Sequence, residues 1–155
     1  MKKIITLIIL TVSISMGNSF AQKSAIGVRG GAANGLTFKT YKGSQSAFEF
    51  LLSTRWRGFN FTALAERYTS PFDEKQLRFY YGAGGHIGRW NDNYNPFYEK
   101  NGGYTLLGVD GIVGIEYDFE AIPFNLSLDW KPSFNLTPSS SFWYDEFGLS
   151  FRFTF

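Results

Sequence analysis

No cysteine occurs anywhere in the 155 residues, which excludes a disulfide scaffold, a thiolate metal site and a lipid-anchored lipoprotein cysteine. Charge of one sign is missing too. Lys2 and Lys3 account for the formal +2, because without them 13 basic residues face 13 acidic ones, and no surplus remains to point to nucleic acid. Long apolar runs are also absent. The longest, residues 4–14, falls short of the roughly 20 residues a membrane-crossing helix needs, and no later window repeats apolar residues at a helical period.

What the chain does have begins with its leader. Two lysines, the apolar run and Ser19-Phe20-Ala21 form the pattern of a secretory signal peptide, so residues 1–21 are read as a leader and 22–155 as the exported domain. Aromatic residues make up 19% of the chain and glycines number 17, and both must find a place in the fold.

Past residue 22 the apolar period is two nearly everywhere. It predicts eight strands, at 24–32, 35–41, 47–55, 59–68, 77–89, 106–119, 124–134 and 147–155, in a single all-β domain. One face of these strands is bulky and apolar, as in Phe48, Phe50 and Leu52, or Leu126, Leu128 and Trp130, or Phe147, Leu149, Phe151, Phe153 and Phe155. The other face is small, polar or charged. It carries Arg29, Lys39, Glu49, Arg55, Glu66, Arg78, Tyr80, His86, Asp110, Glu116, Asp118, Asp129, Lys131 and Arg152, with Gly82, Gly84, Gly88, Gly114 and Gly148 among them.

Eight strands enclose space for side chains alone, and the bulky set would overfill it. The charged face therefore turns inward. An outward band of Phe, Leu, Ile and Val is stable against lipid rather than water, and in hydrocarbon the sheet has to close to satisfy its backbone. The expectation is an eight-stranded antiparallel up-and-down transmembrane β-barrel in the outer membrane of a Gram-negative bacterium, monomeric, with outer-membrane lipids around it. Six basic and six acidic residues on the inward face predict a network of mutual partners filling the lumen, with the glycines making room for long side chains. Trp56, Tyr68, Trp90, Tyr117, Trp130 and Trp143 fall near strand ends and are expected as an interfacial aromatic girdle.

Three stretches resemble chemical motifs. Gly82-Ala83-Gly84-Gly85-His86-Ile87-Gly88 lacks the third glycine and the following helix of a dinucleotide loop, so no cofactor is implied. The asparagine-rich stretch 91–95 meets Pro96 where a calcium loop needs glycine, so no metal is implied. His86 on the fifth strand can meet Asp110 on the sixth, with Ser139 to Ser141 reachable from the last loop, the residue types of a lipid A-modifying enzyme. A histidine bonded to an interior carboxylate is the simpler reading, and no catalytic residue is assigned. With both termini in the periplasm, the long loops 90–105 and 135–145 lie outside, polar and aromatic enough to hold an extracellular ligand. The turn from 69 to 76 is longer than inner turns of such barrels usually are, which puts the ends of strands four and five in question.

The alternating end of the chain, with Phe151, Phe153 and a terminal Phe155, looks like the signal read by the barrel-assembly machinery. With the strand pattern running to Phe155, no cell-wall-binding module is expected. The stretch 111–132, with Gly114-Ile115-Glu116-Tyr117-Asp118-Phe119 and Ile122-Pro123-Phe124-Asn125-Leu126-Ser127-Leu128-Asp129-Trp130-Lys131-Pro132, resembles a family of small Gram-negative outer-membrane β-barrel proteins of OmpA/OmpX-like architecture. The resemblance spans most of 22–155. It implies fold and location and supplies no catalytic residues. The function expected is a structural or surface-interaction role, with a narrow porin-like channel and a lipid A enzyme as alternatives.

Overall fold

The computed structural model describes residues 23–55, 58–71, 74–90, 104–137 and 140–155. Ten strands follow in chain order: β1 Ser24–Gly31, β2 Asn34–Lys42, β3 Ser46–Arg55, β4 Gly58–Thr69, β5 Leu77–Trp90, β6 Tyr104–Asp118, β7 Phe124–Trp130, β8 Ser133–Thr137, β9 Ser141–Trp143 and β10 Phe147–Thr154. All pairings are antiparallel. Neighbours along the chain pair from β1 to β6, β6 pairs first with β7 and then with β8, and β10 pairs with both β7 and β1 to close the sheet. Since β8 continues the line of β7, and β9 that of β10, the ten strands make eight staves of one closed barrel.

The break in the seventh stave lies at Lys131 and Pro132, where proline has no N–H to give the ladder and its carbonyl is still used by the Gly111 amide at 2.9 Å. The eighth stave breaks at the same level, between Trp143 and Phe147, and the Lys131 amide bridges the gap to the Glu146 carbonyl at 2.8 Å. Most of the loop expected at 135–145 is therefore a β8–β9 hairpin. The long turn stands: β4 runs one residue past the expected end, to Thr69, β5 begins at Leu77 as the period-two pattern put it, and the Asp118 amide donates to the Gln76 carbonyl at 3.0 Å. At the other short turn near the termini, Gly43 takes φ +70°, a conformation that costs a residue without Cβ little.

The staves are tilted. Following partners from Ala25 through Lys39, Glu49, Leu64, Gly84, Asp110 and Ser133 leads to Trp143, not back to Thr154, the residue that pairs with Ala25. Rows of partners thus climb from the end holding Ser24 and Phe155, the terminal end, toward the opposite, far end. Stagger of this kind goes with strands inclined by about 35–45° to the barrel axis.

Side-chain burial is inverted relative to a water-soluble barrel. Arg152, Lys39, Glu49, Glu116 and Asn125 are fully buried, whereas Phe147, Leu149, Leu128 and Val28 are more than half exposed. The burial patterns of β3 and β10 alternate without a break, as a period of two requires. Apolar residues inside are few: Ala25, Ala47, Leu51, Leu64 and Ile112 fill between the charged layers.

Candidate functional site

The barrel interior is where the chain concentrates its chemistry. Inward parity is set by the strand register, so the pairing that aligns Lys39 with Glu49, and Arg78 with Glu116, also delivers opposite charges to one another across the ladder. Near the terminal end Lys39 is the hub. Its ammonium lies 2.9 Å from Glu66 and 3.4 Å from both Glu49 and Glu116, donates to the Tyr68 hydroxyl at 3.0 Å, and sits 4.2 Å above the Tyr80 ring. Arg152 crosses the lumen to Glu49 and also donates to Thr37 at 2.9 Å and Ser127 at 2.7 Å. Glu116 further accepts from Tyr41 at 2.8 Å and Arg78 at 2.7 Å. Arg78 reaches Asp118 at 2.8 Å, and Lys23 meets that carboxylate from the rim at 3.4 Å.

One layer toward the far end, Arg29 grips Asp129 with two parallel hydrogen bonds of 2.7 and 2.5 Å, and the Tyr80 hydroxyl donates to the same carboxylate at 3.0 Å. Beyond it lies a second cluster. His86 Nδ1 is 2.7 Å from Asp110 and its Nε2 is 2.9 Å from Asn135, whose amide nitrogen donates to Ser141 at 2.8 Å. Lys131 joins Asp110 at 3.1 Å to Glu146 at 3.0 Å, and the Ser133 hydroxyl donates to Asp110 at 2.5 Å. At the mouth, Trp90 and Trp143 pack edge to face at 5.8 Å, the Trp90 indole donates to the Arg55 carbonyl at 3.0 Å, and Arg55 pairs with Asp145 at 2.6 Å.

Glycines make the room. A Cβ on Gly148 would fall on the Arg29 guanidinium, one on Gly108 on the His86 ring, and one on Gly88 on the Trp90 ring. Gly148→Val is therefore expected to push Arg29 off Asp129 and to destabilise the barrel by roughly 1–3 kcal/mol. Urea titration of the folded protein checks it, and an unchanged midpoint would count against a packed lumen.

No protein-family model and no curated protein matches this chain.

The inward residues read from the sequence come together as two connected clusters, with His86 and Asp110 adjacent as expected and Arg55 apart at the mouth on Asp145. Ser141 reaches the histidine through Asn135, so an amide rather than a hydroxyl meets Nε2. Ser139 lies outside the described residues, as does Trp56. Of the expected girdle, Tyr117 and Trp130 face outward, but Tyr68, Trp90 and Trp143 are buried in the lumen. The correction follows from parity: Tyr68 stands two residues from inward Glu66, Trp90 two from Gly88, and Trp143 pairs with inward Ser133. The period of two, rather than proximity to a strand end, sets the side on which these rings lie. Glu146 and Tyr41 were missed. Parity on β2 gives Tyr41, whereas Glu146 sits in the break of the eighth stave, where no period applies.

Proposed function

We propose that this protein is an integral outer-membrane β-barrel with a structural or surface-interaction role, its lumen filled by the paired-charge network. The observation that carries the reading is the distribution of charge on the outer face. Among the described strand residues that point outward, Lys42, Arg67 and Arg89 are the charged ones, and Lys42 and Arg89 stand at strand ends. Along β5, the outward positions between Tyr81, the partner of Arg67, and Arg89 are Ala83, Gly85 and Ile87. At about 3.3 Å per residue and a tilt near 40° that interval is about 20 Å along the axis, comparable with the roughly 25 Å apolar band of outer-membrane barrels. Such a surface in water would associate without limit.

Close ion pairing through the lumen favours a plug over the narrow channel. Planar bilayers containing the protein are expected to stay electrically silent; stepwise current would restore the channel reading. The kinship with OmpA/OmpX-like small barrels, recognition of Phe151, Phe153 and Phe155 by the assembly machinery, and ligand binding at the far-end loops belong to this same proposal.

The direct test is the outer-membrane fraction of expressing cells, run on a detergent gel with and without boiling. A closed barrel there is expected to migrate at two positions, one for each treatment. Recovery in the soluble fraction, or a single position, would overturn the reading.

A further inference from the structure

On the outer face of β1 to β4 lies an apolar groove of about 260 Å³ bordered by Ile26, Leu36, Phe38, Phe50, Leu52 and Phe61. That is below the roughly 300 Å³ at which sites for drug-sized molecules begin, and it suits a narrow occupant. One wall is a run of rings: Phe38 and Phe50 stack at 6.3 Å, and Phe50 and Phe61 again at 6.3 Å. Inside a membrane its neighbours are acyl chains, so lining chemistry by itself selects none of them.

What selects is the charge at its upper end. The far-end wall follows one row of partners, Leu36, Leu52 and Phe61; beyond the groove the row continues to Ile87 on β5, climbing toward the far end as the stave tilt requires. Arg89 is the next outward residue on β5 after Ile87, exposed, with no hydrogen-bonding or ion-pair partner among the described residues. From Ile26 on β1 to Arg89 on β5 is four strand steps, about 20 Å at ~4.8 Å each. One leaflet of the hydrocarbon core is about 15 Å deep, so an acyl chain laid obliquely along the groove brings its headgroup to the guanidinium. Resting on the membrane reading above, we infer that this groove and Arg89 form a specific site for one anionic, phosphate-headed membrane lipid. Arginine recognises phosphate by paired, charge-assisted hydrogen bonds, and the groove fixes the chain below it.

The test is native mass spectrometry of the purified barrel released from detergent micelles, with palmitoyl-oleoyl phosphatidylglycerol and the chain-matched phosphatidylcholine as probes. The wild type is expected to retain the anionic lipid about tenfold more than the zwitterionic one. Arg89→Gln should erase that preference, and Leu52→Trp, which fills the groove, should lower retention of both lipids. All three proteins should keep the two gel positions of a closed barrel. Equal retention of the two lipids by the wild type, or a preference undiminished in Arg89→Gln, overturns the site while the gel behaviour leaves the membrane reading standing. A wild type that shows one gel position sinks both.

Discussion

Replacement of Lys39 by methionine is expected to cost the barrel about 3–5 kcal/mol of folding stability, the scale seen when one partner of a buried ion pair is removed. The reason is that three carboxylates share this one ammonium, and all of them are buried. Glu49 Oε2 and Glu66 Oε1 have no hydrogen-bond donor among the described residues, so the positive charge is what compensates them. Methionine keeps the volume and removes that compensation. Urea titration into lipid vesicles, read by the gel position of the folded form, measures the loss. Adding Glu66→Gln to Lys39→Met should recover a large part of it, since one uncompensated carboxylate is then gone. A midpoint equal to wild type in the single variant would show that the lumen is wet enough to solvate these groups, and the plugged-core account would fail.

A second large effect is expected outside. Ala63 faces outward on β4, opposite Gly85, which lies midway between Tyr81 and Arg89 on β5. An arginine there stands near the middle of the apolar band. In vesicles Ala63→Arg should destabilise folding by about 2–4 kcal/mol, whereas Thr69→Arg, at the strand end, should cost about 0–1 kcal/mol. The contrast between the two is the informative quantity. If both variants fold like the wild type, the outer face does not meet hydrocarbon, and the exposed phenylalanines need another partner.

Together these expectations separate two roles of one alternation. Odd and even residues of the same strand meet different surroundings, one inside the barrel and one on its outer face, and a single substitution reports on only one of them. In β10, Arg152 is buried against Glu49 while its neighbours Phe151 and Phe153 are exposed. A slip of register by one residue would exchange these environments, which is why the register is so strongly specified.

Much of this was legible from the residues in order. The strand edges at Leu77, Phe124 and Phe147 were found, and so was the inward set from Arg29 to Arg152, because a period of two needs no knowledge of neighbours. Tyr68 and Trp90 follow the same parity into the lumen, although they stand at strand ends. The general tendency of aromatic residues to gather at interfaces is weaker than this local period.

The amino-acid sequence alone determined which side of each strand carries charge and, through the volume of the phenylalanines, which side had to face in. It could not determine who pairs with whom. That Lys39 meets three glutamates from three different staves, that Arg29 finds Asp129 across 100 positions, and that Asn135 separates Ser141 from His86 depend on the stagger accumulated around a closed ring. Such contacts are set by closure, a property of all eight staves at once, and no local pattern encodes it.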